Sequence, residues 1–277
     1  MRTFMKIVIL VITLVTPFMA QQPFKFEVDI LKNTFLVGEP IVIGLSILNT
    51  SKLVQPKPGG ISIKLVDDTG VPLSHTGPSG DWFSPSENDI KPGQECYRII
   101  EINKFWGIRF CRSSLSHRID AGKYTLEVFY SQPGFPLQTI NLPIQIAAPD
   151  GEEKFVWNSM LELCENEVNL GTKEFTEKLS SLHVKYPNSV YTPIMLVTLE
   201  ALYGIVLKDQ MKATAARKEL IEEHLWSSDA PSLLWGVLYT MPSKVERVDY
   251  LKKLLPKSKN SLAQKQIERK LKEELER

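Results

Sequence analysis

Asp120-Ala121-Gly122-Lys123-Tyr124-Thr125-Leu126-Glu127-Val128-Phe129-Tyr130 decides how this chain is read. It opens as a D-x-G-x-Y turn and runs directly into a strand in which Tyr124, Leu126, Val128 and Tyr130 share one face, because side chains alternate sides along a strand. At such a corner a tyrosine near the strand start turns its hydroxyl back to backbone a few residues upstream, while glycine supplies permissive backbone. Asp120, Gly122 and Tyr124 are the residues expected to build it.

The same period of two continues on both sides. Phe24, Phe26, Val28 and Ile30 alternate with charged or polar residues, and after Leu36-Val37-Gly38-Glu39-Pro40 turns the chain, Ile41, Ile43, Leu45 and Ile47 repeat every second residue. Ile61, Ile63 and Leu65 form another run that stops at Asp67-Asp68-Thr69-Gly70, a turn by composition. Lys91-Pro92-Gly93 launches a strand through Cys96 and Ile100, and Ile140, Leu142, Ile144 and Ile146 close the series. Seven or so short strands at this spacing predict an all-β sandwich over 22–148.

Ala147-Ala148-Pro149-Asp150-Gly151 follows, with the hinge placed at 149–151, and beyond it the apolar period becomes helical. Apolar stripes predict helices around Phe155–Cys164, Phe175–His183, Ile194–Val206 and Met211–Leu225. Pro231 just inside a helix start, the capping box Ser243-Lys244-Val245-Glu246 and a similar signal at Ser261 predict three more. Lys185–Pro193 lines up with Glu223–Pro231, a faint repeat that suits stacked helix pairs over 152–277.

Two resemblances follow from these motifs. The D-x-G-x-Y corner, and Gly38-Glu39-Pro40-Ile41 leading into a strand that ends at Asn49-Thr50-Ser51, resemble immunoglobulin-like domains of exported bacterial proteins. Tyr186-Pro187-Asn188-Ser189-Val190-Tyr191 before a long apolar helix, with Ala213 and Leu220 beyond, resembles tetratricopeptide-type repeats, which implies a protein- or peptide-binding array. The expected fold is therefore two-domain: an immunoglobulin-like β-sandwich followed by an all-α helical-hairpin array.

Charge excludes some partners. There are 12 basic and 12 acidic residues in 22–149, and 19 against 20 in 150–277, so neither part has the excess that draws nucleic acid or an anionic membrane. Arg2 and Lys6 ahead of an apolar Ile7–Val15, with Ala20 before Gln21-Gln22, read as an export signal over 1–20 cleaved after Ala20. Phe18 departs from the small residue usual there and leaves an uncleaved anchor open. The expected location is periplasmic or secreted, with no membrane span in the mature chain. Of three cysteines, Cys96 and Cys111 are the candidate disulfide, three buried thiols the alternative, and Cys164 reads as helix packing.

Neither a catalytic constellation nor a cofactor or metal motif emerges. His75, His117, His183 and His224 lack paired ligand spacing, and the last two read as helix-ending residues. Gly77-Pro78-Ser79-Gly80 is not a nucleophile loop between a strand and a helix. Asp67, Asp68, Asp81, Glu87 and Asp89 read as solvated turn residues rather than calcium ligands. Two aromatic stretches stand out as candidate partner contacts: Trp82-Phe83, and Phe105-Trp106 with Arg109, since rings and arginine are enriched at binding surfaces. The expectation is a non-enzymatic exported binding or assembly module of the bacterial cell envelope that contacts a protein or peptide. The alternatives are an accessory or cryptic hydrolase acting on peptide or glycan, and a protease-inhibitor-like or carbohydrate-binding sandwich.

Overall fold

A computed structural model of the chain describes residues 22–56, 60–74, 89–103, 119–132, 134–259 and 261–276. Strands come first. β1 (Phe24–Ile30), β3 (Val42–Asn49) and β7 (Glu95–Glu101) form an antiparallel sheet in the order β1-β3-β7. β2 (Thr34–Leu36), β5 (Gly60–Asp67), β8 (Gly122–Ser131) and β9 (Gln138–Ala147) form a second sheet in the order β2-β9-β8-β5, in which only the β2-β9 pair is parallel. β4 (Gln55–Pro56) and β6 (Asp89–Ile90) make a short ribbon beside them.

The register aligns the apolar sets. Ile47 faces Cys96, Leu65 faces Leu126 and Val128 faces Ile140, so every second side chain of each strand enters one shared core. Phe26 stacks on Tyr130 with ring centroids 5.3 Å apart, filling the end of that core with large apolar rings. On the outer face of the four-stranded sheet, Lys64 and Glu127 stand opposite each other, and Lys64 also covers the Phe129 ring.

Seven helices follow among the described residues: α1 (Gly151–Glu165), α2 (Glu167–Lys185), α3 (Thr192–Ala201), α4 (Gln210–Glu223), α5 (Asp229–Thr240), α6 (Lys244–Lys257) and α7 (Ala263–Glu276). α2 is kinked at Gly171, whose φ of 72° only glycine adopts without strain. α3 passes into a π-helical turn, Leu202–Val206. Asp209 and Ser243 cap α4 and α6 by accepting from the N–H groups of Lys212 and Glu246 at 3.0 and 3.1 Å. Ser261 does something else: its hydroxyl donates to the Ser258 carbonyl at 2.6 Å.

The expectation of an all-β sandwich followed by a separate all-α array is overturned. The chain is a mixed α/β structure in which helices and sheet share a buried surface. Leu36 of β2, Val37 just after it and Ile99 of β7 pack against the helical core that holds Trp157, Tyr191 and Leu234. β3 shows the physical reason. Ile43, Leu45 and Ile47 enter the inter-sheet core, but Val42, Gly44 and Ser46 on the opposite face are buried too. A strand buried on both faces belongs to a sheet covered on both sides.

Named contacts fix the joint. The Tyr191 hydroxyl donates to the Val37 carbonyl at 2.8 Å, and the Trp157 ring closes over Gly38 while stacking on Tyr191 at 5.2 Å. Ser228 donates to Glu101 at 2.7 Å, and the Lys265 ammonium reaches Asp29 and Glu95 at 3.3 and 3.4 Å while lying over the Tyr97 ring. Burial alone would lower the Lys265 pKa, yet those two carboxylates raise it. Each contact involves the start of a helix or the connection before it, apart from Trp157 in the second turn of α1. The helices therefore stand with one set of ends on the β1-β3-β7 sheet.

Candidate functional site

Where the helix ends meet the sheet edge a cleft of about 430 Å³ remains open. One wall comes from the chain between β1 and β3, through Leu31, Lys32, Phe35, Glu39, Pro40 and Val42. The other comes from the α2–α3 and α4–α5 connections, through Asn188, Ser189, Val190, Glu223, His224 and Trp226. Clefts of this size at the junction of structural units are common places for ligands.

Most polar groups here are already satisfied. Glu39 is 2% exposed, its carboxylate accepting the Leu36 N–H at 2.9 Å and pairing with the Lys32 ammonium. Ser189 donates to Glu153 at 2.6 Å, and Glu223 accepts from Lys257 at 2.7 Å, a bond that holds its carboxyl below the usual range. His224 is different. It is 8% exposed, lines the cleft and packs edge-on to Trp226 at 6.3 Å; its backbone bonds to Leu220 and Ser227, while its ring makes no hydrogen bond to a described residue. Burial chiefly lowers its pKa, favouring the neutral ring; Glu219 and Glu223 oppose that effect and His183 adds to it. Nearby, His183 pairs with Glu219 at 2.9 Å.

A second feature lies at the opposite helix ends. α3 starts on the sheet, so its π-helical extension points away; α4 starts there, α5 ends there, α6 starts there and α7 ends there. Ile205, Val206, Met211, Tyr239, Val245 and Leu275 all sit at this far end and are exposed, Met211 by 86% and Tyr239 by 87%. Lys244 donates to the Leu275 carbonyl at 3.4 Å, which ties the start of α6 to the end of α7. Large exposed apolar side chains from five helical segments at one end make that end a candidate contact surface.

Of the sequence-marked residues, those of the tyrosine corner lie away from the cleft. The Tyr124 hydroxyl donates to the Asp120 carbonyl at 3.0 Å, pinning the entry to β8, and burial raises its pKa first, followed by Asp120, Asp67 and Asp68. Gly122 pairs with Ile146, which pairs on its other side with Phe35 of the cleft wall, so this corner braces the cleft from two strands away. Cys96 is buried in β7. Cys111, Trp82, Phe83, Phe105, Trp106 and Arg109 lie outside the described residues. Among the described residues no group of three or more His, Cys, Asp or Glu side chains is placed to hold a metal, and no helix is long and apolar enough to cross a membrane.

Sequence reasoning missed the cleft because its walls come from segments some 150 to 190 positions apart. The one available signal was Glu39, an acid inside an otherwise apolar Leu36–Ile43, which must find a partner if buried.

No known protein family matches the chain, and no curated protein matches it. Among solved structures it is similar to a β-glucosidase from Listeria innocua in complex with isofagomine: 16% identity, 44% of this chain, 16% of that chain, TM-score 0.31. The same enzyme in complex with gluconolactone gives 15% identity, 47% of this chain, 17% of that chain and a TM-score of 0.30. The matched part is thus under a fifth of the enzyme, and a likeness at this level carries no argument about fold or activity.

Proposed function

We propose that the chain is a non-enzymatic exported binding or assembly module of the bacterial cell envelope, and that it takes a protein partner on the far end of its helices. The observation that carries this reading is the exposed apolar row from Ile205 to Leu275. Charge around the row favours a protein over an anionic lipid or nucleic acid, because several of the cations there are paired with carboxylates within the chain. Lys212 faces Asp209 at 3.8 Å, Lys272 faces Glu276 at 3.8 Å, and Arg247 binds Glu274 at 2.9 Å, which holds the Glu274 carboxyl below its usual range. A polar rim around an apolar centre is the ordinary anatomy of a protein interface. Export is supported by the composition of residues 1–20.

Truncation is a poor test, since removing 150–277 would unmask the buried outer face of β3. Surface variants avoid that problem. Met211→Ser, Tyr239→Ser and Val245→Thr combined should leave the melting temperature unchanged and abolish capture of the envelope protein held by the unmodified chain. Equal capture by both would overturn the reading.

A further inference from the structure

We propose that the cleft at the sheet end of the helices is a binding site for a tyrosine-type phenol, with the His224 imidazole as the partner of its hydroxyl. This site is separate from the apolar far end and does not depend on its role. Three observations on the cleft define the occupant.

The first is shape and polarity: Phe35, Pro40, Val42, Val190 and Trp226 supply apolar wall, so the bulk of the occupant is apolar. The second is charge. Lys32 is matched by Glu39 and Glu223 by Lys257, so neither an anion nor a cation finds an unpaired counter-charge. The third is the count of open hydrogen-bonding groups. Glu39 and Ser189 are engaged and the side chains of Lys32, Asn188 and Glu223 are exposed, so His224 is the buried side chain of the lining whose ring is left to meet an occupant. A sugar ring brings several hydroxyls and would strand most of them. An aromatic ring with one hydroxyl matches an apolar pocket with one buried polar group. A neutral imidazole can serve that hydroxyl as acceptor through its unprotonated nitrogen.

The same phenol can arrive on a peptide or as a free small molecule, so the probes separate the two. The full chain, labelled with 13C-histidine, is titrated with N-acetyl-tyrosinamide, N-acetyl-phenylalaninamide and p-cresol while the His224 ring signals are followed; His224→Phe assigns them. The expected result is a saturable shift, with the tyrosine amide binding about tenfold more tightly than the phenylalanine amide, the cost of one unmade hydrogen bond. For His224→Phe, followed by equilibrium dialysis, the two amides should bind equally. Val190→Trp, which fills the cleft, should abolish binding with an unchanged melting temperature. Tighter binding of the amide than of p-cresol assigns the site to peptides, and equal binding assigns it to free phenols. Absence of a saturable shift, or equal affinity of the unmodified chain for both amides, would overturn the proposal.

Discussion

Gly38→Ala tests whether sheet and helices are one cooperative object. Gly38 has φ +82°, where an L side chain is strained by about 1–2 kcal/mol. A Cβ there would also lie 2.3 Å from two carbons of the Trp157 ring. Trp157 cannot swing aside freely, being 7% exposed and stacked on Tyr191. Forcing a methyl into such packing costs about 1–3 kcal/mol more, for a total of roughly 2–5 kcal/mol. The chain supplies its own control: Gly70 has φ +86° and nothing within 4 Å of its would-be Cβ, so Gly70→Ala carries backbone strain alone. Urea unfolding followed by helical circular dichroism and by near-ultraviolet signals should give coincident transitions for both variants. The Gly38 variant should lose about 1–3 kcal/mol more than the Gly70 variant, the packing part of the cost. Adding Trp157→Ala completes a double-mutant cycle, and its cost should be smaller in the Gly38→Ala background because the overlap has gone. If the two glycine variants cost the same, or Trp157→Ala costs the same in both backgrounds, the shared joint is refuted.

Asn103 is buried with its Oδ1 accepting the Ile41 N–H at 2.6 Å and its Nδ2 donating to the Glu39 carbonyl at 2.9 Å; Asn103→Ala strands both and should cost roughly 2–4 kcal/mol by urea unfolding. Tyr191→Phe removes only the bond to Val37 and should cost about 1 kcal/mol, well below the Gly38→Ala effect. His224 binds its proton more weakly in the folded chain than in the unfolded one. Between its depressed folded pKa and about 6.5 the unfolded state therefore holds more protons, so His224 contributes stability fully above about pH 6.5 and loses it as pH falls through that window. The unfolding free energy of the unmodified chain relative to that of His224→Phe should fall from pH 8 to pH 5; a pH-independent difference would remove His224 as the cause.

Strands such as β5 and β8 were legible because one face of each is wet or nearly so. In β8, Lys123 and Glu127 mark the outer face as plainly as Leu126 and Val128 mark the inner one. β3 was legible only by half. Its inner Ile43, Leu45 and Ile47 gave the period, while Val42, Gly44 and Ser46 between them said nothing loud. Their size is nonetheless the clue, for a wet face would carry Lys or Glu where β3 has Gly and Ser. A Cβ at Gly44 would meet the Tyr97 hydroxyl at 2.2 Å, so the close approach depends on having no side chain there. Periodicity reports that a face is buried, not what buries it. That is why the helical layer could be recognised as helices and still be misread as a separate array.

The histidines show the same limit from the side of function. His183 and His224 do fall at helix ends, where the chain leaves its own hydrogen-bond ladder and a side chain is released toward a neighbouring element. What made His224 a candidate was its place in a cleft shared with residues nearly two hundred positions earlier, such as Phe35 and Glu39.

The five residues Leu36-Val37-Gly38-Glu39-Pro40 bind these threads, since Val37 accepts from Tyr191, Gly38 carries the Trp157 ring, and Glu39 and Pro40 line the cleft. A shift at Gly38 must therefore reach the cleft wall one residue away, whereas the far end lies a helix length off. Three to four helical turns separate the joint from Met211 or Tyr239, about 20 Å at 1.5 Å per residue. Gly38→Ala should then weaken binding of N-acetyl-tyrosinamide while leaving partner capture at the far end intact under conditions where the chain stays folded. Loss of both together in a folded variant would mean that the helices transmit the displacement as a rigid layer, and the two sites would have to be treated as one.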